Sequence, residues 1–208
     1  MVGTLAGVPA YVIRVWLPDR PGALGAVASR VGAVGADVVG IDIIERGAGR
    51  AVDELIFDLP DAGLVDLLLA EIGEVDGVDV ESIRPLSQLP VDPAVMALEV
   101  ARRAGEASGA DRAHVVLVGA VALLAADWAA LVDTASSQVV ARHGEDAPGD
   151  GWLVAFTQGA TTEGGRAGLD DVAVAVPPGG TVAVVVARDH SPLRGREQQV
   201  LDSLAALI

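Results

Sequence analysis

The order of hydrophobic patterns in the first 84 residues is the feature that most constrains the fold. Alternating apolar residues predict strands, and apolar residues three and four apart predict helices. The predicted strands span 11–17, 38–45, 51–59 and 78–83, and the predicted helices span 24–34 and 62–72. The Gly-containing stretch 46–50 predicts a hairpin loop. The resulting β-α-β-β-α-β order predicts a ferredoxin-like α+β domain, with two helices on one face of an antiparallel sheet.

The corner between the first strand and the first helix reads Asp19-Arg20-Pro21-Gly22. The fixed φ of Pro21 suits the first turn of a helix. The next backbone amides, at Gly22, Ala23 and Leu24, are N–H groups that the helix itself cannot satisfy. Such a helix start attracts a carboxylate. The spacing alone leaves open whether this corner binds a ligand or only water.

The string from Leu17 to Leu24, LPDRPGAL, resembles the ACT domain family when it is followed by Asp37 in GADVVGIDIIE. The resemblance covers residues 11–84. It implies a regulatory module that pairs with a second copy and binds an amino acid or similar small metabolite at the pairing interface. It further implies a ligand site made of Asp19, Arg20, Pro21, Gly22, Ala23, Leu24 and Asp37.

Asp37 departs from the family pattern, because many amino-acid-binding members have Asn there and often also at the position of Asp19. An ionised Asp only accepts hydrogen bonds, whereas Asn also donates them. We therefore expect a bound amino acid to turn its ammonium group toward Asp19 or Asp37. The chain contains no Asn at all, so the substitution is equally consistent with a compositional bias or with a site that has lost its ligand.

The second half predicts another α+β domain at 94–208, joined to the first domain (1–84) by a Pro-containing linker at 85–93. The run 113–126 is ambiguous, and we divide it near Gly119 into a strand at 114–119 and a helix that continues over 120–132. The other predicted strands are 137–144, 151–158, 171–177 and 181–189, and the predicted helices are 94–108 and 194–208.

Residues 172–208 weakly resemble the closing half of a GAF domain, with a last strand, a polar turn and a terminal helix. The resemblance implies a ligand-binding or dimerising module. The cyclic-nucleotide signature of that family needs Asn and Lys, and a thioether-linked tetrapyrrole needs Cys, so both are excluded here. The stretch Thr157–Leu169 predicts a lid over a pocket or, preferably, a flexible hairpin.

Composition excludes several classes of function. The formal net charge is −15, which disfavours nucleic-acid and anionic-membrane partners. There is no Cys for disulfides or thiolate chemistry. The longest apolar run, 115–126, is too short to span a bilayer, and no signal peptide is evident. These features lead us to expect a cytoplasmic protein.

No catalytic or metal-binding pattern is evident, and no cofactor is implied. His114, His143 and His190 are far apart in sequence and lack metal-ligand spacing. The pairs Asp53-Glu54 and Asp170-Asp171 are adjacent residues whose side chains point opposite ways in an extended chain. We therefore expect no enzyme activity and no metal.

The sequence thus favours a homo-oligomeric sensor that binds a small metabolite. Two alternatives remain open: a dimerising scaffold without a ligand, and a small enzyme with its site around residues 143–170. Arg14 and Trp16, on the outer face of the first strand, are either solvated or in contact with another domain or subunit.

Overall fold

A computed structural model of the chain describes residues 9–86, 92–162, 170–189 and 191–208. The chain divides into two compact units, Met1–Leu89 and Pro90–Ile208. Each unit has its own hydrophobic core.

The first unit has the predicted β-α-β-β-α-β order. Its elements are β1 (Ala10–Pro18), α1 (Ala23–Ala33), β2 (Asp37–Gly47), β3 (Arg50–Asp58), α2 (Val65–Gly73) and β4 (Asp79–Leu86), with a 3₁₀ turn at Ala62–Leu64. The antiparallel sheet has the strand order β2-β3-β1-β4. The ferredoxin-like prediction is confirmed, and β4 runs two residues into the predicted linker.

One face of this sheet forms the core with both helices. Alternate residues of β1 point inward and pack against Val27 and Val31 of α1 and Leu68 and Ile72 of α2. These β1 residues are Tyr11, Ile13, Val15 and Leu17. The apolar residues that recur every second position in the strands and every third or fourth position in the helices thus meet in one core. This core fixes the position of the corner between β1 and α1.

The opposite face of the sheet carries an ion network centred on Arg14. This side chain is only 1% exposed, and its Nη2 lies 2.7 Å from Glu54 Oε1. Glu81 is 3.8 Å away on the other side and also accepts a hydrogen bond from Trp16 Nε1 at 3.0 Å. Arg14 is therefore a buried, paired charge, so the solvated alternative is wrong for Arg14.

The second unit contains four helices and four strands within its described residues. They are α3 (Pro93–Glu106), α4 (Gly109–Leu124), β5 (Trp128–Asp133), β6 (Gln138–Gly144), α5 (Asp150–Thr162), β7 (Val172–Ala175), β8 (Val182–Ala187) and α6 (Gly195–Ala205). The antiparallel sheet has the order β6-β5-β8-β7. Helices α4 and α6 cover one face, α3 packs against α4, and Leu153 of α5 packs on the other face. The second unit is thus α+β as predicted, whereas its GAF-like character stays a prediction.

Three secondary-structure predictions in this unit are wrong. The run 113–118 belongs to α4 and not to a strand, because its buried residues recur at helical spacing. Residues 128–132, predicted as helix, form the buried strand β5. Residues 151–158, predicted as a strand, belong to α5, where Leu153, Thr157 and Ala160 are buried at i, i+4 and i+7. The predicted loop Thr157–Leu169 is accordingly helical through Thr162, and 163–169 lie outside the described residues.

Candidate functional site

The corner between β1 and α1 is organised by a glycine in a left-handed conformation. Gly22 has φ +87° and caps α1, which begins at Ala23. A positive φ is incompatible with a helical residue, so Pro21 lies before the cap and not in the first turn as predicted. The loop therefore turns sharply and exposes Asp19 and Arg20 at the end of β1.

Fewer helix amides are available at this corner than the sequence predicts. The Ala23 N–H donates to Arg20 O at 3.3 Å, within the turn, and the Ala23 side chain is buried. The Ala23 amide is thus already hydrogen-bonded without a ligand, and its contact with a ligand stays a prediction. The amides of Leu24 and Gly25 follow at the start of α1, where the helix offers them no acceptor.

A small cavity lies at this corner. Its volume is about 110 Å³, which suits a small metabolite and is well below the size of a typical drug-binding pocket. It is lined by Leu17, Pro18, Asp19, Arg20, Gly22, Leu24, Ile43, Arg46, Ala51 and Asp53. The wall is thus mixed, with aliphatic side chains beside two acidic and two basic ones.

The two arginines at the cavity rim, Arg20 and Arg46, each form an ion pair with a nearby carboxylate. Arg46 of β2 holds Asp19 through an Nη2–Oδ1 contact of 2.5 Å. Arg20 lies 3.6 Å from the fully exposed Asp76, and 62% of the Arg20 side chain is exposed. An exposed ion pair of this kind contributes little to stability, so Arg20 can turn to an anionic ligand at small cost.

Asp53 is the acidic residue at the buried side of the cavity. It lies on β3 between the core residues Ala51 and Leu55, and only 3% of it is exposed. Its Oδ1 accepts no hydrogen bond from the residues that the structure describes. Burial raises the pKa of Asp53, and the charges of Asp19 and Asp42 add to this, whereas Arg46 lowers it.

Sequence reasoning missed Asp53 as a site residue. It correctly placed Asp53 and Glu54 on opposite faces of their strand: Asp53 pairs with the core residue Val15, and Glu54 pairs with Arg14. The signal that was overlooked is the position of a carboxylate on the apolar, inward face of a strand, where a charge is costly unless it is paired.

Asp37 lies away from this cavity within one chain. The strand register places Asp37 beside Asp58 at one end of the sheet, whereas Gly47 pairs with Arg50 at the cavity end. The two ends are roughly 25 Å apart at about 3.3 Å per residue. Within one chain Asp37 therefore does not line this cavity, and its place in a ligand site at a pairing interface stays a prediction.

The fold of the first unit agrees with a family comparison. The model of the ACT domain family matches residues 11–77. This segment is an ACT domain. The match leaves the second unit unassigned, and no curated protein matches the sequence.

Solved structures similar to this chain include ACT domains. One is the ACT domain from GTP pyrophosphokinase of Chlorobium tepidum, with 17% identity and a TM-score of 0.31, covering 40% of this chain and 91% of that one. Another is the regulatory subunit of aspartate kinase from Thermus thermophilus, with 19% identity and a TM-score of 0.30, covering 47% and 72%. An unknown protein from Galdieria sulphuraria has 16% identity and a TM-score of 0.35, covering 96% and 91%.

The second unit carries a wider, acidic surface depression of about 780 Å³. Its lining residues are Ala126, Asp127, Trp128, Gly144, Glu145, Asp146 and Asp189. The rings of His114 and His143, distant in sequence, lie 5.7 Å apart, while His190 is outside the described residues. Among the described residues, no group of three or more His, Asp or Glu side chains is placed to bind a metal ion. No helix in the described part of the chain is long and apolar enough to cross a bilayer.

Proposed function

We propose that this chain is a non-catalytic regulatory protein whose ACT domain binds an amino acid or similar small metabolite. The cavity at the β1–α1 corner is the observation that carries the proposal. It combines small size, an aliphatic wall and charged groups of both signs in the domain that matches the ACT family.

The charges of the cavity complement a zwitterion. Asp19 and Asp53 contribute two acidic groups and Arg20 and Arg46 two basic groups, so the formal charges cancel. A carboxylate is stabilised by the start of α1 and by Arg20. An ammonium group needs an acidic acceptor, which the same cavity supplies.

A second copy of the chain would supply the remaining binding energy. A helix start stabilises an anion by roughly 0.3–2 kcal/mol, whereas millimolar affinity already requires about 4 kcal/mol. Strand β2 is an edge strand, and its apolar residues Val39, Ile41 and Ile43 are 46%, 48% and 42% exposed. An exposed apolar edge strand favours pairing with another strand. We therefore propose a homodimer formed through β2.

Antiparallel pairing of the two β2 strands would also bring Asp37 into the site. If Asp37–Gly47 aligns along its whole length with the same strand of a second copy, Asp37 of that copy lies opposite Gly47. It would then be next to Arg46, at the cavity rim. This arrangement would allow Asp37 to take part in the ligand site, although Asp37 and the cavity lie at opposite ends of the sheet within a single chain.

A thermal-melt screen against the common L-amino acids tests the proposal. A ligand at a hundred times its Kd stabilises the folded state by about 2.7 kcal/mol, which raises the Tm by several degrees. We expect one or two compounds to produce such a shift, and their D-enantiomers at equal concentration control for ionic strength. Equal shifts with both enantiomers, or no shift with any compound, would contradict the proposal.

A dimerising scaffold without a ligand is the second candidate, and the apolar row on β2 favours it equally. This candidate predicts self-association and a flat ligand screen. The expected cytoplasmic location and the absence of nucleic-acid partners stay predictions.

A further inference from the structure

We propose that the ligand of the ACT cavity carries a protonated amine and that Asp53, rather than Asp19 or Asp37, is its principal acceptor. This inference rests on the proposed function, because it concerns the same cavity. It assigns the ligand to the class of small ammonium compounds, zwitterionic amino acids included.

The burial of Asp53 sets it apart from the other acidic groups of the site. Asp53 is 97% buried, lines the cavity and leaves Oδ1 without a hydrogen-bond donor among the described residues. Asp19 is exposed and already bound by Arg46. A buried, unpaired carboxylate is costly in the empty protein, so a donor that reaches it gains a strong charge-assisted hydrogen bond.

The residues around Asp53 suit an ammonium group better than a metal ion or a guanidinium group. A divalent metal needs several oxygen ligands, and no suitable group occurs among the described residues. A planar guanidinium spreads its donors over a fork that suits two acceptor oxygens, whereas Asp53 offers one orphaned oxygen here. An ammonium group presents three donors at one compact charge, and the aliphatic neighbours Leu17, Ile43 and Ala51 suit a short carbon chain beside it.

The experiment compares ligands that share a side chain and differ in their charged groups. L-Alanine, L-serine and L-valine are each tested beside the corresponding amine (ethylamine, ethanolamine or isobutylamine) and deaminated acid (propionate, 3-hydroxypropionate or 3-methylbutyrate). Affinities are measured by isothermal titration calorimetry with probes at about 10 mM, tenfold above a millimolar Kd. The proteins are the full-length chain, Asp53→Asn and Asp58→Asn, which makes the same change on the same strand outside the cavity.

We expect at least one amine-bearing probe to bind, and its deaminated acid not to bind. Asp53→Asn should weaken that binding roughly tenfold or more, because a hydrogen bond between two charges is lost. Asp58→Asn should keep the wild-type affinity. A melt of the unliganded Asp53→Asn protein checks that the variant folds, and Asp53→Glu, which keeps the charge, should retain part of the binding.

The other outcomes separate failure of this inference from failure of the proposed function. Binding of the acids as well as the amino acids, or amine binding that survives Asp53→Asn, overturns the role of Asp53 while a metabolite site remains. If no probe of any class binds the wild-type chain and the amino-acid screen is also flat, both proposals are overturned.

Discussion

At the scale of single residues, Asp53, which lines the cavity, also affects the free energy of unfolding of the protein. A carboxylate on the inward face of β3 replaces an apolar side chain in an otherwise regular pattern, and it lacks a hydrogen-bond donor at Oδ1. Such a group lowers the stability of the protein without a ligand, and sequences most often break a local rule in this way at binding sites.

This cost predicts a pH dependence. Because the pKa of Asp53 is raised by folding, the native state binds more protons than the unfolded state between the ordinary pKa of Asp and the raised one. Its contribution is therefore most favourable below about pH 4 and is lost as the pH rises through the folded-state pKa. We expect Asp53→Asn to unfold at higher urea concentration than wild type at neutral pH, with the difference shrinking toward pH 4.

Urea denaturation over a series of pH values, without ligand, measures this effect. Asp58→Asn controls for the loss of one carboxylate on the same strand. The charged groups that act on Asp53 are Asp19 from the loop after β1 and Asp42 and Arg46 from β2. A variant Asp53→Asn that is less stable than wild type at neutral pH would contradict the explanation.

At the scale of secondary-structure elements, helices α3 and α4 meet at a glycine. A Cβ added at Gly119 of α4 would lie 2.7 Å from both γ-carbons of Val100 in α3. Such overpacking costs typically 1–3 kcal/mol, which exceeds the roughly 0.5–1 kcal/mol that Ala gains over Gly in a helix. We expect Gly119→Ala to lower the free energy of unfolding by about 1 kcal/mol.

A double-mutant cycle with Val100→Ala tests this contact by urea denaturation. The cost of Gly119→Ala should largely disappear in the Val100→Ala background. Gly105→Ala in α3 is the matched control, because its new methyl group would contact nothing and should stabilise. Equal costs of Gly119→Ala in both backgrounds would show that Val100 is not the obstacle.

The elements that the sequence predicts well are those whose local and tertiary preferences agree. In the first unit, alternation and helical spacing each place one apolar face on a single core, so every strand and helix is recognised. In the second unit, the β-branched residues of α4 and the aromatic residues of α5 mimic strands, and the fully buried β5 lacks alternation. Whether these segments form helix or strand is decided by their burial in the folded protein, and this burial cannot be determined from a local sequence pattern.

The candidate site also combines residues that can be predicted from local sequence with residues that are placed only by long-range strand pairing. The loop from Asp19 to Leu24 is recognisable as a candidate site through its resemblance to the ACT motif, since its spacing alone does not distinguish a ligand from water. Asp53 comes to this loop only through the pairing of β1, β2 and β3, which is a long-range relation. The position of Asp37 at the far end of the sheet likewise depends on strand direction, which the motif alone does not contain.

At the scale of the whole molecule, the apolar row on β2 predicts the oligomeric state. Ile41→Lys places a charge in the middle of the proposed interface, and we expect sedimentation equilibrium to show half the wild-type mass. Val140→Lys is the matched control, because Val140 is a 58% exposed residue on the edge strand β6 of the other sheet. A monomeric wild type, or an unchanged mass for Ile41→Lys, would refute pairing through β2.

The separation of Asp37 from the cavity has a consequence for regulation. In a symmetric β2 pair, each of two equivalent sites draws residues from both chains, so ligand and chain concentration act on the same equilibrium. A rise in the cellular abundance of the protein would then increase metabolite affinity as effectively as a rise in metabolite would promote pairing. Such a regulator responds to its own expression level as well as to its ligand.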